Sequence, residues 1–268
     1  MMEILQFEFM QNALMAGLLA SLICGIIGTL VVVNRIVFIS GGIAHASYGG
    51  VGLAFFLGLP VLPVTTAFTV FTALIMAMVT LRARERADTV IGVIWAAGMA
   101  LGIILLDITP GYNVDLMSYL FGSILAVPRS DIWLMAGLAL LVFILVIAFY
   151  RGFLVMSFDE EFARSRGVPV NFLYFLLITM VGLSVVMIIR VVGLILVIAL
   201  LTIPPFIAER RSRSLDIMMI VSTLLSAGFT VVGLFLSYIT DITSGASIIA
   251  VASVCFFLSF LLPHQKSG

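Results

Sequence analysis

Long apolar runs separated by short charged connections dominate the chain, and a membrane-spanning helix needs about 20 such residues, with roughly 17 to 25 tolerated. Nine stretches reach that length: Phe9 to Val33, Ile36 to Gly58, Val61 to Leu81, Thr89 to Leu106, Asp131 to Tyr150, Asn171 to Ile189, Val191 to Ala208, Asp216 to Ile239 and Ala246 to Leu262. The connections at Pro60 and at Arg190 are the shortest, and eight crossings result if one segment is re-entrant. The pattern predicts an all-α polytopic membrane protein folded as a single transmembrane domain over residues 1–268. The opening MMEILQFEFMQ carries Glu3 and Glu8 and no basic residue before its apolar run, so the first run is expected to be a retained helix rather than a signal peptide.

Three connections carry their own signals. The loop at 107–130 contains the turn-rich ITPGYNVD and then Ser118 to Val127, apolar but too short to span, which predicts a short helix at the outer face. The loop at 151–170 is written as a capped helix. Ser157 and Glu160 have capping-box spacing, and Asp159, Glu160 and Glu161 put negative charge in the first turn. Arg164 and Arg166 follow in the last turn, Gly167 suits the C-terminal cap and Pro169 stops continuation. The third, Ser237 to Gly245, has Asp241 as its only charge, either a solvated loop acid or a group at the mouth of a path. Ile203-Pro204-Pro205-Phe206 is expected to break the end of the seventh run and free its carbonyls.

Charge supports the nine-run reading independently, because cytoplasmic loops are enriched in Lys and Arg. With the N-terminus outside, Arg35, Arg82, Arg84, Arg86, Arg151, Arg164, Arg166, Arg210, Arg211, Arg213 and Lys266 all fall inside. Of the 13 basic residues only Arg129 and Arg190 fall outside. This predicts N-out, C-in.

The stretch Ser40 to Gly58, SGGIAHASYGGVGLAFFLG, differs from the other runs. Gly42, Ala46, Gly50, Ala54 and Gly58 lie at i, i+4 steps and make a small-residue stripe suited to close packing. His45, the histidine nearest the middle of the chain, lies beside that stripe with Gly41 and Gly49 on either side. Two readings stand: a packing helix whose imidazole bonds a nearby carbonyl, or an ionisable group on a substrate path.

Composition narrows the function. The chain is 63% hydrophobic and 10% charged, with mean hydropathy +1.32, values incompatible with a water-facing surface of ordinary size. Its net charge of +0 gives no basis for nucleic-acid binding. The single lysine, Lys266, has no glycine-rich loop before it, so a P-loop is absent and nucleotide hydrolysis by that route is excluded. Cys24 and Cys255 lie far apart within apolar runs and read as small packed hydrophobes. An intramembrane enzyme would need a nucleophile with its base, or a metal with several ligands, at membrane depth; within the runs His45 and the cysteines provide no such cluster.

Six segments, in this order, carry a resemblance: GGIAHASYGGVGLAFFLG, DTVIGVIWAAGMALG, DLMSYLFGSILAV, FDEEFARSRGVPV, RVVGLILVIALLTIPPFIA and GLFLSYITDITSGASII. Together they span nearly the whole chain, which resembles the permease subunit of bacterial metal-ion ABC importers of the zinc, manganese and iron family. The resemblance implies a homodimer in the cytoplasmic (inner) membrane, two copies of a separate ATPase subunit, and an extracytoplasmic metal-binding protein that delivers the ion. The transported divalent ion would be cargo, with no permanently bound cofactor. The family pattern E-x-A-R-x-x-G marks the coupling helix seated on the ATPase, and Glu161, Ala163, Arg164 and Gly167 occupy it. Family members commonly show Asp-x-x-x-His in the second helix. Here His45 matches, Gly41 stands where the aspartate would be, and Gly49 and Gly50 replace a common proline-glycine pair. His45 is thus the expected metal contact, with Gly41, Gly42, Gly49, Gly50 and Asp241 as expected path-lining or gate positions. A path for a metal chelate or cofactor such as a siderophore or corrinoid, or an ion-driven secondary carrier, are the alternatives.

Overall fold

The computed structural model describes residues 7–82, 86–110, 122 and 124–261. Among the described residues ten α-helices follow one another: α1 (Glu8–Val33), α2 (Val37–Leu57), α3 (Val61–Arg82), α4 (Ala87–Asp107), α5 (Arg129–Phe158), α6 (Glu160–Ser165), α7 (Val170–Val192), α8 (Leu194–Glu209), α9 (Leu215–Thr240) and α10 (Ser244–Leu261). No strand occurs among the described residues. As far as they are described, all nine predicted runs are helical, the seventh with a break at Gly193. Seven of them, α1, α3, α4, α5, α7, α9 and α10, are long and apolar enough to cross a membrane. The other two fall short for different reasons: α2 has 21 residues but includes five glycines and His45, and α8 has only 16 residues.

The outward surface suits lipid. Phe71, Val93, Trp133, Leu224 and Phe257 are exposed although each lies within an apolar run; in water such a surface would aggregate. The contacts divide the chain into two compact units. One comprises Met1–Asn34, Met117–Tyr150 and Met187–Gly268, the other Arg35–Leu116 and Arg151–Val186.

In the first unit α1 packs against α9 through small and hydroxylated residues. Gly17, Ser21 and Gly25 form an i, i+4, i+8 row. A Cβ at Gly17 would come within 2.5 Å of Thr230 Cγ2, and one at Gly25 would meet Thr223. Ser21 Oγ lies 3.1 Å from Thr230 Oγ1, and Ser21 also donates to the Gly17 carbonyl at 2.7 Å. Without a hydrophobic driving force between helices in lipid, this close approach with its hydroxyl contacts is what fastens the pair.

The proline pair does not end α8, contrary to the sequence expectation. Pro204 and Pro205 are buried inside a helix that runs on to Glu209. Proline at 205 leaves the carbonyl of Leu201 without its helical donor. Gly28 of α1 lies directly against that oxygen, where an added Cβ would come within 2.7 Å. The lack of a side chain there allows the neighbouring backbone to cover the break.

The connection between α7 and α8 is the single residue Gly193, at φ 83° and ψ 164°, a region that glycine tolerates far better than other residues. Gly122, itself at φ 64°, fits against Val192 and Gly193 so closely that a Cβ there would overlap the backbone. Of the predicted short helix at Ser118 to Val127, residues 118–121 and 123 lie outside the described residues. The rest carries one 3-10 turn, Ile124–Ala126.

Candidate functional site

In the second unit, α2 lies against α4 at backbone contact. Gly98 and Gly102 are four residues apart on α4, and they accept α2 between them. A Cβ at Gly98 would meet Ala46 Cα at 2.8 Å, and one at Gly49 would meet the Gly98 carbonyl oxygen at 2.8 Å. Further along, Gly52 abuts Gly102, and Gly102 abuts the backbone of Tyr48. At the other end Gly42 faces Ile91. Contact positions rise together on both helices, from 42 with 91 to 52 with 102, so α2 and α4 run parallel. Gly50 turns instead to α3, 2.8 Å in Cβ distance from Thr65 Cα.

That register places Trp95, one turn before Gly98, over His45, the residue before Ala46. The two rings stack at a centroid distance of 4.2 Å and an interplanar angle of 16°. Trp95 is held by a hydrogen bond from Nε1 to Met99 Sδ at 3.2 Å and by Phe38 at 6.1 Å. Stacking occupies the face of the imidazole and leaves its in-plane nitrogens for ligands or protons. Nδ1 of His45 is buried and has no hydrogen-bond partner among the described residues. Gly41, one turn earlier on the same face as His45, has open space where a Cβ would stand, with nothing within 4 Å.

The predicted glycines therefore separate into two groups. Gly42, Gly49 and Gly50 are packing positions against α3 and α4. Gly41 alone borders the open side of His45. Among the described residues no three His, Cys, Asp or Glu side chains come together as a metal cluster. The His45 imidazole would offer a passing cation a single protein ligand, since the indole nitrogen of Trp95 is a donor only, and the remaining coordination positions would hold water.

A polar row on α3 accompanies this site and was not foreseen from sequence. Thr65, Thr69 and Thr72 are buried at i, i+4 and i+7. Thr72 bonds the Phe68 carbonyl at 3.0 Å, whereas Thr65 Oγ1 and Thr69 Oγ1 have no partner among the described residues. Helical threonines in lipid ordinarily donate back to the preceding turn, so two that do not are oriented for something else. The signal was present in the spacing of three threonines in an otherwise apolar run.

In the same unit, α6 is held as the sequence suggested, with one correction to its start. The cap is Asp159, not Ser157: its carboxylate accepts from the Phe162 N–H at 2.8 Å. Ser157 remains inside α5, which continues eight residues past Tyr150 because Arg151 to Phe158 is still apolar enough to stay helical. The end follows the expectation closely. Gly167 has φ 76°, its N–H donates to the Arg164 carbonyl at 3.1 Å, and Val168 N–H reaches Ala163 O at 3.0 Å. This is the paired hydrogen-bond pattern of a glycine-terminated helix. Arg164 binds Glu160 at 2.9 Å and Asn171 Oδ1 at 2.7 Å, which fixes α6 to the start of α7. Ala163 is buried beneath, while Glu161, Phe162 and Arg166 face outward, with Arg166 5.3 Å above the Phe162 ring.

Asp241 caps α9 in the left-handed region at φ 54° and is exposed, and Ser237 donates across the turn to Ile242 O at 2.6 Å. A stronger charge pair, unforeseen, joins Arg190 to Asp131 at 3.0 Å. Asp131 is 4% exposed, at the start of α5, and Arg190 lies one turn before the Gly193 break.

Residues 6–263 match the sequence profile of the ABC 3 transport family. The chain belongs to this family. The resemblance seen in six segments is borne out by that membership, and with it the reading of a permease, a non-catalytic membrane component, rather than an enzyme. An uncharacterized membrane protein of Synechocystis sp. is 51% identical over 259 residues, covering 97% of this chain and 92% of that protein. The manganese transport system membrane protein of Halalkalibacterium halodurans is 34% identical over 264 residues, 98% of this chain and 90% of its own length. Among solved structures, PsaBC from Streptococcus pneumoniae in complex with Fab superposes with a TM-score of 0.88 at 32% identity, over 99% of this chain and 96% of that one. This ABC 3 permease is thus a multi-pass membrane protein that works with the other subunits of an ABC transporter.

Proposed function

We propose that this permease forms the transmembrane path for a divalent transition-metal cation in an ATP-driven importer, manganese being the first ion to test. The observation that carries the reading is the full-length similarity to a manganese transport membrane protein, with both chains covered at 90% or more. The missing P-loop and the rigid, outward-facing α6 support energisation by a separate ATPase, with Glu161, Ala163, Arg164 and Gly167 in the coupling element. The proposal includes two permease copies, two ATPase copies and an extracytoplasmic metal-binding protein, in the cytoplasmic membrane with N-terminus outside and C-terminus inside. His45 contacts the ion in transit on the face it shares with Gly41, and Asp241 stands near the outer mouth. A single imidazole with retained water binds loosely, which suits passage rather than storage.

The test is uptake of Mn(II), Zn(II) and Fe(II) into vesicles holding the permease with its ATPase and binding protein, with and without ATP. ATP-dependent accumulation of a free ion is expected, and lowered accumulation in His45→Ala. Uptake without the ATPase would overturn energisation by a partner. The open space at Gly41 favours one second reading, a path for a metal chelate; movement of the chelate but not the free ion would establish it instead.

A further inference from the structure

At the turn from α8 to α9 the chain reads Glu209-Arg210-Arg211-Ser212-Arg213-Ser214. With 16 residues, α8 is about 24 Å long, against a hydrocarbon layer of roughly 30 Å. A span this short draws its terminal residues to the depth of the lipid headgroups. Arg210 at its C-terminal cap does not extend freely into solvent: its Cζ lies 4.7 Å from the centre of the Phe260 ring. Phe260 closes a cluster with Phe206 and Phe256, at centroid distances of 5.9 and 5.1 Å.

The guanidinium held this way is not fully used. Arg210 Nη1 is buried without a hydrogen-bond partner among the described residues, and so is Ser212 Oγ, two residues on. Buried donors without acceptors are rare, and a guanidinium most of all seeks an anion. The acids nearby do not supply one. Glu209 is exposed, and Asp216 accepts from the Tyr150 hydroxyl at 3.4 Å. Arg211 and Arg213 are exposed and add positive charge. Beside the donors the end of α10 is bare: Phe257 is 69% and Leu261 80% exposed.

We propose that Arg210 and Ser212 form a site for the phosphate of an anionic phospholipid, with Phe257, Phe260 and Leu261 as the apolar wall along which its acyl chain lies. A guanidinium fork and a hydroxyl are matched to a phosphate's oxygens. A small inorganic anion would satisfy the same donors, but it would gain nothing from the exposed aromatic wall. Diffuse attraction of three arginines to a charged bilayer would not require two buried donors.

The test uses the full chain, purified in mild detergent, with dioleoyl phosphatidylglycerol or dioleoyl phosphatidylcholine added and bound lipid counted by native mass spectrometry. Phosphatidylglycerol is expected to be retained about tenfold better, the scale of one or two hydrogen bonds to a charged group. Arg210→Gln with Ser212→Ala should abolish that preference. Arg211→Gln with Arg213→Gln should keep it at high salt, where diffuse attraction is screened. Equal retention of the two lipids overturns the proposal, as does an unchanged preference in the Arg210/Ser212 variant. Equal loss in both double variants would reduce the site to bulk charge, and displacement of the lipid by inorganic phosphate would make it a small-anion site; either result overturns it. If Arg210→Gln does not fold, Arg210→Lys decides, since it keeps the stem and charge but not the fork. A loss of about threefold supports the site, and no loss refutes it.

Discussion

The packing of α2 on α4 makes a quantitative prediction, because two glycines of α2 in different surroundings can receive the same methyl group. Alanine at Gly41 would place its Cβ in open space; alanine at Gly52 would drive it into the backbone of Gly102, 2.7 Å from Cα and 2.9 Å from the carbonyl carbon. Ordinary carbon contacts lie near 3.5–4.0 Å, so the helices must separate by about 1 Å or the helix must bend. Both changes gain the same helix propensity, about 1 kcal/mol for Gly to Ala, so that contribution cancels in their difference. What remains is the overpacking cost, about 1–3 kcal/mol, or a factor of roughly 5 to 150 in the folding equilibrium. Reversible unfolding of the purified permease in mixed micelles measures it. Gly41→Ala should be as stable as the parent or slightly more so, and Gly52→Ala less stable by the stated margin. The Trp95–His45 stack should loosen with the separation, detected as a change in tryptophan fluorescence in Gly52→Ala only. Equal stability of the two variants would refute the backbone-contact packing from which the position of His45 over Trp95 follows.

Arg164→Glu should leave the membrane helices folded, since the Arg164–Glu160 pair is partly exposed and worth at most about 0.5 kcal/mol, and the exposed Asn171 bond it also loses holds only α6 to the start of α7. It should separate ATP hydrolysis from uptake in the reconstituted transporter, and coupled uptake at the parental rate would argue against α6 as the coupling element. Trp95→Leu keeps the imidazole but removes its stack, so uptake should fall about threefold to tenfold, the equivalent of about 0.5–1.5 kcal/mol, and less than in His45→Ala; equal uptake in Trp95→Leu and the parent would exclude a positioning role for the indole. Arg190→Gln leaves the buried Asp131 carboxylate without its cation, a loss of about 2 kcal/mol after allowing for the 48% exposure of the Arg190 side chain. Asp131→Asn should cost less, and the double variant should recover part of the loss in a denaturation cycle.

Helix positions were legible because lipid imposes a length rule that apolar runs obey almost without regard to tertiary context. Their ends were less so. Arg151 reads as a loop charge, yet α5 passes through it to Phe158, since a helix can leave the membrane without ending. The proline pair reads as a break, yet Gly28 on another helix covers the exposed carbonyl, and nothing local to Pro204 and Pro205 announces that partner. The site divides in the same manner. The capped α6 could be read residue by residue because capping is local; only the identity of the cap residue shifted, from Ser157 to Asp159. The ring over His45 could not, because it depends on the register in which Gly98 and Gly102 receive α2, a contact between segments some fifty residues apart.

This register also determines which part of α2 is free to act. A helix that lines a path must keep one face out of packing, and glycine content alone does not say which face that is. Gly42, Gly49 and Gly52 are spent on α4, and Gly50 on α3. Gly49, Gly50 and Gly52 close gaps to backbone distance and Gly42 receives the Ile91 side chain, so none leaves room for a hydrated cation. Gly41 and His45 are one turn apart, so they share a face, and that face combines open space with an imidazole whose Nδ1 lacks a partner. Trp95 shields one side of the ring and leaves its edge. The small residues of α2 thus do two different things: most of them bring α4 near enough to hold the imidazole in position, and one of them, Gly41, leaves open space beside it.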